Sequence, residues 1–342
     1  MTAHLTVQLA GPAMTLQDLG RPGYRAQGMT VGGAADPTAL YEGAALLGQP
    51  PTHTAIEMAG SGGAFTPGRD LRIALTGAEM AASCDGETLT WNASHLVPAG
   101  ASLSIGGARN GAYGYLHVGG GFDTPLVMGS RAAHLACGIG SVLQAGDTLP
   151  LGSDTGHATG MTLPASDRFG GGKIRIVASM QTASYDAETL ARFTATHFRR
   201  DARANRMGVR LDFDDEGFSA DAALSIVSEV VVPGDIQISG DGAPYVLMFE
   251  CQTTGGYPRI GSVLPCDLPR VAQAQTGADL HFEFVDMADA IARQSRYLSE
   301  LKTLKSRVTP LIRDPAAIRD LLGYQLISGA ISATANPLEK ES

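Results

Sequence analysis

Short apolar runs separated by glycine-rich punctuation dominate the first half of the chain. Leu71 to Leu75, Thr88 to Trp91, Leu103 to Ile105 and Tyr113 to Val118 are β-prone stretches bounded by turn residues, and they predict strands. Ala55-Ile56-Glu57-Met58 reads as a further strand with one carboxylate inside it. The period changes once. Asp36-Pro37 offers an N-cap and a first-turn proline, and Ala39, Leu40, Ala44, Leu46 and Leu47 supply an apolar face that stops at Gly48.

From Gly152 to Gly172 the pattern fades into Gly, Ser, Thr and Asp, ending in Gly170-Gly171-Gly172, which is linker composition. The apolar rhythm restarts at Ile174 to Val177. It continues through a helix near Ala187 to His197 and strands at Ile226-Val227 with Val230 to Val232, at Tyr245 to Phe249 and at Leu280 to Val285. Met287 to Leu304 predicts an amphipathic helix, with Ile291, Leu298, Leu301 and Leu304 on one face. A short run, Ala316 to Leu322, follows Pro310 before a polar end. The expected organisation is a domain over 1–165, a second over 170–305 closed by the terminal helix, and an extension over 306–342. Two cores suit a chain of 342 residues, above the size at which one core usually suffices.

Charge narrows the partners. Lys and Arg number 25 against 34 Asp and Glu, a net charge of -9 without a basic run, which argues against nucleic acid. No apolar stretch reaches the length of a membrane span and the first residues lack a basic leader pattern, so a cytoplasmic protein is expected. Four scattered cysteines form no C-x-x-C pair, and the eight histidines form no H-x-H or H-E-x-x-H, so no metal is expected. The chain has no Walker loop, no dinucleotide fingerprint, no G-x-S-x-G elbow and no biotin-attachment lysine flanked by methionines. A cofactor, if used, is expected on another chain.

Three constellations carry candidate chemistry. Thr15 to Arg25 packs Asp18, Arg21 and Tyr24 into a turn rich in Gly and Pro. The plain alternative is an Asp18–Arg21 pair bracing the turn, with Asp36 capping a helix. Gln252-Thr253-Thr254-Gly255-Gly256-Tyr257-Pro258 places an amide, two hydroxyls and two glycines after an apolar strand, matching the donors and acceptors of a small amide or urea; a plain hairpin turn is the competing reading. Asn205 to Leu211 carries Arg206, able to clamp a carboxylate or simply to face solvent. Glu57 is a candidate base, or an edge residue facing water.

Taken in order, Thr15 to Gly28, Ala34 to Pro37, Ala55 to Glu57, Gly119 to Phe122, Gly129-Ser130-Arg131, Asn205 to Leu211, Ser228 to Ile236, Gln252 to Ile260 and Asp267-Leu268-Pro269 resemble the KipA family. That family is also called allophanate hydrolase subunit 2 or the biotin-dependent carboxyltransferase family. The resemblance covers about residues 5 to 305. It implies a mainly β fold with some α, built as two cyclophilin-like β-barrel domains, and a KipI-like partner.

Family members include the C subunit of ATP-dependent 5-oxoprolinase, which works with a KipI-like and a LamB/YcsF-type protein, and the carboxyltransferase domains of urea carboxylase. The implied function is a 5-oxoprolinase component holding a small lactam, with ATP handled by partner subunits. The alternatives are a carboxyltransferase fed by carboxybiotin from a biotin carrier on another chain, and a non-catalytic regulator of a KipI-like protein. In the catalytic readings Asp18 or Glu57 is the base, Arg21 or Arg206 holds the carboxyl group, and Tyr24, Arg206, Gln252, Thr253, Thr254, Gly255, Gly256 and Tyr257 bind substrate. Both the acidic-basic turn and the neutral lip should then border one pocket. Cys251 stands where the family often has an arginine, and Ala178-Ser179-Met180 where it usually has a Gly-Pro pair. The tail beyond Val308 is longer than the family pattern.

Overall fold

The structure is a computed structural model that describes residues 3–218 and 227–312. The chain is mainly β, as the resemblance implies, with four α-helices among the described residues: α1 (Pro37–Leu47), α2 (Ala187–Ala195), α3 (Leu268–Gln273) and α4 (Met287–Thr303). Strands of the first half join one 11-stranded sheet. Its spine is the antiparallel pair Leu71–Cys84 and Leu103–Val118, so the runs at 103–105 and 113–118 belong to one continuous strand. Thr88 ends a two-residue strand, and Trp91 lies beyond it.

The second half closes into a barrel in the order 172–177, 259–263, 235–238, 244–247, 208–212, 198–200 and 279–284. Alternation along these strands turns Ile174, Ile176, Val209, Leu211, Leu280 and Phe282 inward. α2 begins where the Asp186 carboxylate accepts from Thr189 N at 2.6 Å, an N-cap that satisfies one of the first-turn donors. It delivers Phe193 into a ring cluster with Phe198, Phe218 and Phe282, at centroid separations of 5.1, 5.4 and 5.2 Å.

The two halves do not keep separate cores. The cluster inside the barrel continues through Ala35, Leu40, Tyr113 and Tyr115 of the first half. α3, which no apolar periodicity announces, drives Gln273 into the first sheet. Its Oε1 accepts from Ala112 N and Tyr113 N at 3.0 and 2.9 Å, while Nε2 donates to Asp36 Oδ2 and the Tyr113 carbonyl, each at 2.8 Å.

Asp36 is therefore not the side-chain cap of α1. Its carboxylate instead accepts from Gln273 and from Arg168 Nε at 2.7 Å, and Arg168 also grips Glu42 with both terminal nitrogens. Past α4 and a 3-10 turn over Leu304–Arg307 the chain returns to the first sheet, where Thr309–Pro310 of the extension pairs with Met161–Thr162. The run 316–322 and Ile226 lie outside the described residues; Val227 is exposed outside any strand, and the short strand there is Glu229–Val230. Among the described residues, no helix is long and apolar enough to cross a membrane.

Candidate functional site

The turn after the Thr15–Gln17 strand packs backbone against backbone. Gly33 has φ +79, and a Cβ there would lie 2.7 Å from Gly20 N and 2.8 Å from the Asp18 carbonyl, so only glycine fits. Asp18 does not pair with Arg21. Its carboxylate accepts from Gly20 N at 2.8 Å, Ser130 Oγ at 2.6 Å and Arg131 N at 2.7 Å, tying the turn to the 128–131 loop. Arg21 is fully buried and donates to the Val127 and Ala132 carbonyls. Burial pulls its pKa below the ordinary arginine range, with the Asp18 charge opposing. Tyr24 is half-buried at the head of an exposed turn.

Glu57 neither faces water nor stands open to a ligand. Its Oε2 accepts from Ala35 N and Tyr115 Oη, both at 2.7 Å, and its Oε1 meets Arg206 Nη1 at 2.5 Å. Arg206 also reaches Glu250 Oε1 through Nε at 2.6 Å and the Gly33 carbonyl through Nη2. Burial acts to lower the Arg206 pKa, but the charges of Glu57 and Glu250 outweigh it and hold the guanidinium above its usual range. Glu250 Oε2 accepts from Ala136 N at 3.2 Å and lies 4.0 Å from His134 Nδ1. Burial depresses the His134 pKa, against the pull of Glu250. Glu57 and Arg206 thus form a closed junction between the halves, Asp18 and Arg21 are tied within the first half, and each is committed to internal partners.

The segment after the amino-terminal turn meets the segment before the lip, without bringing a turn residue to the lip cavity. Gly32 N donates to the Phe249 carbonyl at 3.1 Å, and Thr30 Oγ1 donates to the Cys251 carbonyl at 3.1 Å. Cys251 itself is buried with Val231 and Leu247, and burial pushes its thiol up to about 12, so this position carries no charge.

Beyond Cys251 the lip opens onto a cavity of about 420 Å³, walled by Asn205, Met207, Arg203, Arg210, Gln237, Ser239, Tyr245, Gln252 and Tyr257. The segment 205–207 joins junction to cavity: Arg206 turns inward, while its two neighbours line the open space. Gln252 Nε2 lies 3.3 Å from Gln237 Oε1. A Cβ at Gly255 would approach Gln237 Nε2 to 2.5 Å, so this glycine lets the amide pair form.

Thr254–Gly255 pairs with Glu229–Val230, and the Thr253 carbonyl accepts from Val231 N, so these residues shape the lip rather than line its cavity. Gly256 lies exposed beside them. Gln237, Tyr245 and Glu250 belong to no motif that spacing reveals. Gln237 and Glu250 offer one signal, a polar residue in or at the end of an apolar strand.

A larger cavity of about 560 Å³ lies between α4 and the 164–168 segment. Most of its guanidiniums are already paired: Arg168 with Asp36 and Glu42, Arg175 with Asp267, Arg270 with Asp167 and Arg293 with Asp289. The lip cavity's arginines are paired as well, Arg203 with Asp201 and Arg210 with Asp241, but the cavity differs in adding three carboxamides, Asn205, Gln237 and Gln252, and two phenols, the donor set a neutral amide requires.

The chain is similar to known proteins over most of its length. It is 33% identical to the C subunit of 5-oxoprolinase from Escherichia coli over 308 residues, covering 87% of this chain and 97% of the relative. To the C subunit of 5-oxoprolinase from Haemophilus influenzae it is 31% identical over 303 residues, 85% of this chain and 95% of that one. Among solved structures, TTHA0988 superposes with a TM-score of 0.74 at 28% identity, over 82% of this chain and 56% of that chain, so this chain spans about half of it. The urea amidolyase of K. lactis shares the fold, with a TM-score of 0.78 at 21% identity over 92% of this chain and 21% of that one. Residues 27–284 match the profile described as "Carboxyltransferase domain, subdomain A and B", and the chain belongs to that family.

Proposed function

We propose that this chain is the C-type subunit of an ATP-dependent 5-oxoprolinase assembly and that its lip cavity holds the lactam. The supporting observation is the carboxamide pair Gln252–Gln237 at the wall of a small-molecule-sized cavity. A lactam presents one N–H and one C=O, which a carboxamide side chain meets reciprocally. The Tyr245 and Tyr257 rings flank the same space, and Arg203 and Arg210 bring guanidiniums to its rim for the substrate carboxylate. Both are already paired, Arg203 with Asp201 and Arg210 with Asp241, but they keep solvent exposure at the rim, whereas Arg21 and Arg206 are buried in internal contacts. Arg206, clamped between Glu57 and Glu250, positions the 205–207 wall instead of touching substrate. ATP chemistry belongs to the partners, one KipI-like and one LamB/YcsF-like, in a cytoplasmic assembly.

The test is 5-oxoproline-dependent ATP hydrolysis by the reconstituted assembly. Gln252→Ala should lower kcat/KM on the order of tenfold, the effect of one lost hydrogen bond of about 1.5 kcal/mol. Unchanged kinetics in the Gln252→Ala and Tyr257→Ala double variant would remove the lip from the mechanism.

A second reading rests on the family match. The cavity would then hold urea or a related amide while carboxybiotin arrives from a biotin carrier on another chain. Carboxyl transfer to urea without 5-oxoproline-dependent ATP hydrolysis would favour it.

A further inference from the structure

On the outside of the barrel, strands 198–200 and 279–284 run antiparallel, with Phe198 opposite Leu280 and Arg199 opposite Asp279. Residues directly opposite share a face and successive residues alternate. Phe198 and Leu280 are fully buried, so Asp279 and His281 point outward together. One residue further along the same register, His197 stands opposite His281.

Two imidazoles and a carboxylate therefore converge, with one ligand atom from each lying within 4.8 Å of the others. His197 Nδ1 is 2.9 and 3.0 Å from the two Asp279 oxygens, and His281 Nδ1 is 3.9 Å from Asp279 Oδ2. His281 Nδ1 is shielded from solvent yet has no hydrogen-bond partner, an unmet polar atom aimed at this spot. The cations nearby have carboxylates of their own: Arg199 grips Asp214 at 2.5 Å, and Lys173, the cross-strand neighbour of His281, pairs with Glu283 at 3.3 Å.

We propose that His197, Asp279 and His281 form a binding site for a divalent ion of the zinc class, coordinated through both Nδ1 atoms and an Asp279 oxygen. Ligands about 2.0–2.2 Å from a tetrahedral ion lie roughly 3.3–3.5 Å apart. The observed separations of 2.9 to 3.9 Å around Asp279 bracket that range, so small side-chain rotations close the site. Imidazole and carboxylate donors select zinc, nickel or copper over magnesium or calcium. The open side leaves a position for water or for a ligand from another molecule. In the empty site His197 Nδ1 faces Asp279 as a donor; on coordination its lone pair goes to the ion and the ring proton resides on Nε2. Linear motif rules miss the set because its members come from two strands brought together by register.

The test is calorimetric titration of the full-length, EDTA-dialysed chain with zinc chloride. One equivalent should bind to the wild type. Outer-shell changes alone cost about 10–100-fold in metal affinity, so removing a ligand in His281→Ala or Asp279→Asn should cost at least ~10-fold. Cys137→Ser, which removes an exposed thiol elsewhere, should leave binding unchanged. Zinc should raise the unfolding temperature of the wild type more than that of the isosteric Asp279→Asn, which keeps the comparison valid if an alanine weakens the strand. A wild type that binds no zinc, or an equivalent that survives in the His197→Ala and His281→Ala double variant, overturns the site.

Discussion

His117 shows how far burial alone can move a titrating group. It sits between the first sheet and α1, where a Cβ on Gly43 would strike its ring at 2.3 Å. Its Nε2 is 2.8 Å from Thr76 Oγ1, whose proton goes to the Ala39 carbonyl, so the imidazole is the donor. Burial drives its pKa down to about 3. An unfolded histidine binds a proton below about 6.5. Between those values the unfolded chain holds the extra proton, so stability from this group is complete above pH 6.5 and drains as pH falls toward 3. Its share of the slope is up to about 1.4 kcal/mol per pH unit. Denaturant unfolding across that window should show the slope in the wild type and a flatter profile in His117→Gln.

Arg206 makes the complementary point about charge. Arg206→Met leaves Glu57 and Glu250 buried without their cation, a loss of about 3–5 kcal/mol, readable as a lower unfolding midpoint. Neither burial is legible in the sequence. Glu57 lies in an apolar run, which says that it could be buried but not which cation from the other half would meet it.

At the scale of elements, regular periodicity is readable and interrupted periodicity is not. α1, α2 and α4 follow from their apolar faces and end where glycine or loss of pattern ends them. The second spine strand reads as fragments because Gly106, Gly107 and Gly111 look like turns. In the sheet these glycines lie within a single strand, and pairing with Leu71–Cys84 shifts register between Gly77 and Glu79, Glu79 and Met80, and Met80 and Ala82. Glycine in a long strand marks such bulges and bends as often as an end. α3 has only six residues and no second turn of apolar pattern, yet it carries the main polar tie between the halves. Gln273→Leu strands the Ala112 and Tyr113 amides without an acceptor, at a cost of about 1–3 kcal/mol. Faster hydrogen exchange at those two amides would locate the loss.

Across the whole molecule, two expectations met unevenly. Thr30 and Gly32, just past the acidic-basic turn, bond the Cys251 and Phe249 carbonyls just before the neutral lip, but no residue of the turn lines the lip cavity, so the expected common pocket is not formed. The side chains divide the work: the charged groups of the turn stay in buried internal contacts, and the neutral groups of the lip frame the open cavity. Sequence motifs name the residue types that gather at an interface, but whether solvent reaches them depends on how the halves pack, which no local spacing encodes. The halves are further joined by the common core and by the return of Thr309–Pro310 to the first sheet.

The most direct measurement is the position of 5-oxoproline in crystals of the assembled enzyme. The account predicts the lactam between Gln252, Gln237 and Tyr245, its carboxylate turned to Arg203 or Arg210. Density for the lactam between α4 and Arg168, with the lip cavity filled only by water, would contradict it.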